Sequence, residues 1–144
     1  MAATSIAADV TILRGARILD GVGAAAIDGA DLVIEGDSII YVGSPGGFES
    51  PSDATIVDCE GKTLIPGLIA VHSHVGQVDG VENGAANFNR ENILRQLRQY
   101  EAYGVTTILS LGLNGPLFYQ LREELHAGYL PGADLFGADR GIGV

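Results

Sequence analysis

The feature that most constrains the fold is the alternation of strand-like and helix-like stretches in the second half of the chain. Apolar runs at residues 66–74, 105–112 and 133–139 predict strands, and they enclose two stretches with apolar residues at helical spacing. These strands are too apolar to be half exposed to water, which indicates parallel strands covered by helices. We therefore predict a β-α-β-α-β unit in an α/β fold.

Both predicted helices carry end signals. Asn89 has a side chain that can cap the first helix, and Gly104 suits the position after its last turn. Pro116 suits the first turn of the second helix, and Gly128 suits the position after its end. Three parallel strands leave open sheet edges. We therefore expect a truncated α/β domain that associates as a homo-oligomer or with a complementing C-terminal half.

The first part of the chain follows a different pattern, with short β-branched stretches separated by loops. Gly36 predicts a tight hairpin turn, residues 60–61 predict a second hairpin, and residues 21–30 predict a Gly- and Ala-rich loop. Such a meander of short strands is typical of a small sandwich or barrel. We expect a β-sandwich part over residues 1–66, followed by a second domain over residues 67–144.

Charge and cysteine content exclude several function classes. The chain has 8 basic and 18 acidic residues, a formal charge of −10, and no basic cluster. This argues against a nucleic-acid or anionic-membrane partner. The single cysteine, Cys59, cannot form an internal disulfide, so an oxidising compartment is not implied. The N-terminus lacks a secretion signal and no run of about 18 apolar residues exists, so we expect a cytoplasmic protein.

Two histidines end the first apolar strand of the second half. Because side chains alternate along a strand, His72 and His74 are expected to share a face with Leu68 and Ala70, with Ser73 opposite. At a rise of about 3.3 Å per residue the imidazoles lie about 6–7 Å apart, within reach of one metal ion. The alternative is a pair of partly exposed histidines that are hydrogen-bonded to water.

The surrounding sequence resembles a known family. Residues 64–76, LIPGLIAVHSHVG, resemble the P-G-L-I-D-x-H-x-H signature of the amidohydrolase superfamily, with closest likeness to imidazolonepropionase-like and prolidase-like members. The stretches ILRGARILDG and DLVIEGDSIIYVG resemble the strands of that family's accessory β-sandwich. YGVTTILSLG resembles the passage from its first barrel helix to its second strand. Ala70 replaces the family's aspartate, at a position that is not a metal ligand.

The resemblance implies both a fold and an activity. The expected fold is the N-terminal part of a composite β-sandwich, followed by the first strands and helices of an incomplete (β/α)8 TIM barrel. The expected activity is metal-dependent hydrolysis of carbon–nitrogen bonds in a small-molecule amide, cyclic amide or peptide. The implied cofactor is a divalent metal ion, zinc above others, with His72 and His74 as ligands.

The family's remaining site residues have no counterpart in this chain. Members carry a lysine or glutamate on strand 4, histidines on strands 5 and 6, and an aspartate on strand 8. Lys62 precedes the barrel region, and His126 is interpreted as a helix-end residue. We therefore assign no catalytic residue and expect the chain alone to be inactive. The alternatives are a non-catalytic small-ligand or oligomerisation module, and one half of a split enzyme.

Overall fold

The computed structural model describes residues 9–112 and 114–138. The chain has a mixed α/β fold that divides into two compact units, one ending at Pro66 and the other beginning at Gly67. Each unit is built around its own sheet, and each is described by itself below.

The first unit contains a five-stranded sheet. Its strands are β1 (Val10–Ile18), β2 (Ile27–Glu35), β3 (Ser38–Gly43), β4 (Thr55–Asp58) and β5 (Thr63–Leu64). The order is β3-β2-β1-β4, and β5 also pairs with β1. The β1–β2 and β2–β3 pairs are antiparallel, whereas β4 and β5 both run parallel to β1. A small buried core on this sheet includes Ala16, Ile18, Ala30 and Cys59.

Of three sequence-based expectations for this unit, one is confirmed and two need correction. The hairpin turn at Gly36 is present, and this residue has a φ of 62°. The second predicted hairpin, at residues 60–61, is wrong, because β4 and β5 both pair with β1 rather than with each other. The turn between them closes with the Lys62 N–H donating to the Cys59 carbonyl oxygen at 3.0 Å. The predicted loop at 21–30 is too long, since β2 begins at Ile27.

The second unit follows the predicted β-α-β-α-β order. Its elements are β6 (Leu68–Ser73), β7 (Val78–Asp79), β8 (Glu82–Asn83), α1 (Arg90–Ala102), β9 (Val105–Ser110), α2 (Pro116–His126) and β10 (Asp134–Gly137). The strands β10-β9-β6 form a parallel sheet in that order, and β7 and β8 form a separate short hairpin in the loop after β6. The expected parallel sheet is therefore confirmed for these three strands.

Apolar side chains on the helices and the sheet explain why this unit folds. The helices direct one apolar face each toward the sheet, and the completely buried members of the core are Ile93, Leu97, Ile108, Phe118, Leu121 and Leu135. Burying a side chain of this size stabilises a fold by about 1.5–3 kcal/mol. One side of the sheet is therefore packed against the two helices.

The helix ends match the sequence signals. Asn89 lies at the N-cap of α1, and its side-chain oxygen accepts a hydrogen bond from the Asn92 N–H at 3.0 Å. Pro116 opens α2, and glycines follow both helices, at Gly104 and Gly128. In the described part of the chain no helix has both the length and the apolar character needed to cross a membrane.

An ion pair joins the two helices. The Arg90 guanidinium donates to both carboxylate oxygens of Glu124, at 3.1 and 2.5 Å, and Gln120 donates to the same carboxylate at 2.9 Å. These hydrogen bonds lower the pKa of Glu124 below its ordinary value of 4.5. The ionised carboxylate therefore favours the folded state.

The first prediction concerns the cap of α1. Replacing Asn89 by alanine removes the acceptor for the Asn92 N–H, so we expect the free energy of unfolding to fall by about 1 kcal/mol. Urea denaturation of the chain measures this change. Asn89→Asp keeps an acceptor and a favourable charge at the helix N-terminus, and it should retain most of the stability. Equal stability of Asn89→Ala and the wild type would contradict the assignment.

The second prediction concerns pH. Because the folded pKa of Glu124 lies below 4.5, its contribution to stability is present above pH 4.5 and disappears as pH falls through the lower folded value. Glu124→Gln should therefore show a smaller loss of stability between pH 5 and roughly pH 3 than the wild type. Glu101→Gln, an exposed position on α1, is the control and should keep the wild-type profile. Identical profiles for Glu124→Gln and the wild type would contradict the prediction.

Candidate metal centre

The two histidines lie at the carboxyl end of β6. Their imidazole rings are 5.2 Å apart between centroids and are inclined at 74°. Both side chains are exposed, whereas Ser73 between them is 5% exposed and faces the helix-covered side. The carboxyl ends of parallel strands are where α/β enzymes build their active sites. The pair therefore lies at the end of the sheet where a site is expected.

A bulge in β6 corrects the predicted facing of the strand. Ala70 pairs with Ile108 and Ser73 pairs with Ser110, so two residues of β6 lie opposite a single residue of β9. Strict alternation would have put Ala70 on the histidine face, but Ala70 packs against the helix-covered core. The expected sharing of one face by Ala70 and the histidines is therefore wrong. Bulges of this kind redirect side chains next to active sites.

The spacing of the rings is compatible with a shared metal ion. Two imidazoles that bind one tetrahedral zinc ion through nitrogens at about 2.0–2.1 Å have ring centroids roughly 5 Å apart. The same spacing also suits an edge-to-face contact between two uncoordinated rings. Neutral imidazole is a common ligand for divalent metals. The donor set at this point of the structure thus fits part of a metal site.

The described residues supply only these two donors at the site. In residues 9–112 and 114–138 no group of three or more His, Cys, Asp or Glu side chains is close enough to hold a metal ion. Catalytic zinc sites use three protein ligands and a water molecule. The two histidines alone are therefore fewer than the three protein ligands that such a site requires.

Backbone contacts hold the histidine segment against its neighbours. The Leu111 N–H donates to the Ser73 carbonyl oxygen at 2.9 Å, and the Gly76 N–H donates to the Gln96 side-chain oxygen at 2.8 Å. The Tyr100 hydroxyl hydrogen-bonds to the Ser73 hydroxyl at 3.3 Å. The main chain on both sides of His74 is thus tied to β9 and to α1.

Two cavities of about 510 Å³ lie beside the segment that ends β6 and follows it, and the first also reaches Val105 at the amino end of β9. The first combines amide, phenol and apolar groups, and it is lined by His74, Gln96, Gln99, Tyr100, Tyr103 and Val105. The second lies in the loop that follows β6, and it is lined by Gln77, Asn83, Gly84, Ala85 and Phe88. Both linings offer hydrogen-bonding groups beside apolar surface, the combination that small-molecule sites use.

The other residues considered in the sequence lie elsewhere. His126 is the last residue of α2, and its Nε2 atom lies 3.1 Å from Asp134 Oδ1 at the opposite, amino-terminal end of β10. Lys62 belongs to the first unit, in the turn before β5. Cys59 is 4% exposed in the core of the first unit. None of the three is joined to the histidine pair by a described contact.

Sequence reasoning missed the side chains that support the site. Gln96 reaches the Gly76 N–H from the middle of α1, and Ser110 and Asn114 form a buried polar pair near the end of β9. The sequence offers only a weak signal for this pair, a hydroxyl residue at the end of an apolar strand with an amide residue four positions later.

Comparisons with known proteins agree with this architecture. No protein-family model matches the chain. A putative adenine deaminase of Bacillus cereus is 33% identical over 95 residues, which cover 66% of this chain and 14% of that protein. The structure of molinate hydrolase matches 96% of this chain and 31% of its own, with a TM-score of 0.82 and 23% identity, a likeness of fold.

A third match carries the family's name. The crystal structure of an amidohydrolase matches with a TM-score of 0.72 and 25% identity, over 92% of this chain and 32% of that one. The chain thus spans about a third of the solved structures and a much smaller part of the curated relative. The sequence signature, the β-α-β-α-β unit and these matches together show that the chain belongs to the amidohydrolase superfamily.

Proposed function

We propose that this chain is the N-terminal part of a metal-dependent hydrolase of carbon–nitrogen bonds, and that His72 and His74 are two of its metal ligands. The observation that carries the proposal is the pair of imidazoles, with centroids 5.2 Å apart, at the carboxyl end of the first parallel strand. Membership of the amidohydrolase superfamily supports hydrolysis as the chemistry. The name of the deaminase relative supports a carbon–nitrogen bond as the target.

The proposed architecture follows from the two units. In the proposal, β6, β9 and β10 are the first three strands of a (β/α)8 barrel, and the sheet of the first unit is part of a composite β-sandwich. Two solved structures support this architecture, because the chain matches about a third of the length of each. Active sites of such barrels lie at the carboxyl ends of the strands, where the histidines are.

The residues of this chain would perform a limited part of the reaction. A bound zinc ion supplies an activated water molecule and a Lewis acid in hydrolases of this kind. His72 and His74 would hold the ion through the nitrogen of each neutral imidazole that carries no proton. The loop after β6, with its cavity beside Phe88, would form one wall around a small-molecule amide, cyclic amide or peptide substrate.

The proposal includes inactivity of the chain alone. Two ligands do not complete a catalytic zinc site, which uses three. The bridging lysine or glutamate, the further histidines and the aspartate would come from a C-terminal region or from a complementing polypeptide.

A split enzyme is the second candidate, in which a second polypeptide would cover an exposed apolar face of the parallel sheet. Ile69 and Val71 are 64% and 68% exposed although they lie in the parallel sheet. Apolar side chains at this exposure are expected to be covered in the functional protein, by later strands of the same chain or by a second polypeptide.

The third prediction tests the ligands. Four-ligand structural zinc sites bind with about 10–16 kcal/mol, so two ligands support roughly half of that, a Kd on the order of 1–200 μM. Zinc titration of the chain, followed by NMR of the histidine ring resonances, should shift His72 and His74 together. His72→Ala and His74→Ala should each weaken binding by at least tenfold, because one of two ligands is lost. His126→Ala is the matched control and should bind as the wild type does; equal binding by all variants would overturn the proposal.

The fourth prediction concerns turnover. The purified chain, supplied with zinc, should not accelerate hydrolysis of amides, cyclic amides or dipeptides above the rate of zinc in buffer. The physical reason is the incomplete ligand set described above. Clear turnover by the chain that is lost in His72→Ala would show that a complete site forms without further sequence.

A further inference from the structure

Three polar side chains are buried at the carboxyl end of the parallel sheet. Ser73, Ser110 and Asn114 are 5%, 1% and 2% exposed. Burying polar groups is unfavourable unless they are hydrogen-bonded. Across the described residues every buried side-chain nitrogen and oxygen has a hydrogen-bond partner. This cluster is therefore a satisfied network, and its partners show what it holds.

Asn114 joins the ends of two strands. Its side-chain nitrogen donates to the carbonyl oxygens of Ser110, at 3.0 Å, and Ala138, at 2.6 Å. The Ala138 N–H donates to the same Ser110 carbonyl at 3.1 Å. Gly137 fits this crowded point because a Cβ atom there would lie 2.6 Å from the Ser110 carbonyl oxygen. The carboxyl ends of β9 and β10 are thus held by one amide group.

The same amide fixes the direction of the Ser110 hydroxyl. The hydroxyl donates its single proton to the Asn114 side-chain oxygen at 3.1 Å. Its oxygen lone pair then faces the Val75 N–H, which donates to it over a long hydrogen bond of 3.4 Å. A hydroxyl has one proton, so the acceptor at Asn114 decides where the lone pairs point. Without that acceptor the hydroxyl is free to rotate, and the contact with Val75 is no longer specified.

The network ends next to the candidate ligands. Val75 directly follows His74, and Ser73, which precedes it, has its carbonyl oxygen bonded to the Leu111 N–H at 2.9 Å. The backbone of His74 is therefore held between two bonds from the end of β9, one of which depends on the Ser110 hydroxyl. Groups that orient a metal ligand without touching the metal commonly change metal affinity by 10–100-fold.

We propose that Asn114 is a positioning residue for the histidine pair, acting through the Ser110 hydroxyl on the backbone of His74. This inference rests on the proposed function, because it assumes that His72 and His74 bind a metal ion. Asn114 does not contact the ion; it determines where the imidazole of His74 is held.

The test measures zinc affinity and backbone protection in the 144-residue chain. Asn114→Ala and Ser110→Ala should each weaken zinc binding by about tenfold and speed hydrogen exchange of the Val75 amide. The double variant should lose no more zinc affinity than either single variant, because the two residues act in one chain of contacts. Leu121→Ala is the control, since it destabilises the core of the same unit by removing buried methyl groups but leaves the polar network intact.

The outcomes distinguish a failure of the positioning role of Asn114 from a failure of the proposed metal site. Leu121→Ala should lose stability and keep its zinc affinity. Asn114→Ala should lose zinc affinity, and its loss of stability should be no larger than that of Leu121→Ala. This inference alone would be overturned if the wild type binds zinc and Asn114→Ala binds it equally well. The same holds if Asn114→Ala weakens zinc binding no more than Leu121→Ala does. Zinc binding in the wild type that does not depend on the histidines would overturn the proposed function, and this inference with it.

Discussion

The parallel backbone pairing of β6 with β9 controls the geometry of the second unit. It aligns Ser73 with Ser110 at the carboxyl ends of the two strands, and it leaves Val71 and His72 opposite a single residue of β9. That bulge turns Ala70 toward the helices and leaves both imidazoles on the uncovered side. The position of the histidines is thus a property of the strand register more than of any contact that the rings make.

The two sides of this sheet have different environments. On the helix side, Ile108 and Leu135 are fully buried, and the polar groups of Ser110 and Asn114 are satisfied within the protein. On the other side, the described residues leave Ile69, Val71 and the histidines open to solvent. A barrel strand has the same arrangement, with one side packed against helices and the other toward the barrel interior, and the site lies at the carboxyl ends of the strands. The exposed face is therefore consistent with a barrel interior that further strands would enclose.

Local sequence signals predicted the elements whose stability is local or simply apolar. The α1 cap at Asn89, the opening of α2 at Pro116 and the apolar strand at residues 105–110 are each specified by nearby residues. The β-α-β-α-β order followed from their succession, and the resemblance of residues 64–76 indicated the superfamily. The histidine pair was found because its two members are separated by one residue in a strand.

Features that depend on distant partners were not predictable in this way. The glycine turn after Cys59 looks like a hairpin, yet both flanking strands pair with β1, which is some forty-five residues earlier, and no local signal specifies that choice. The bulge beyond Ala70 arises from register with β9, and strict alternation cannot reveal it. Asn114 has the appearance of an ordinary turn residue before a proline-initiated helix. Its role is visible only when Ala138 and Ser110 are brought together.

Anomalous diffraction at the zinc absorption edge, from crystals of the chain grown with zinc, tests the central claim most directly. We expect a peak between the rings of His72 and His74, at about 2.0–2.1 Å from one nitrogen of each. A zinc ion bound elsewhere, with the two imidazoles retaining only their edge-to-face contact, would contradict the assignment of this strand end as a metal centre.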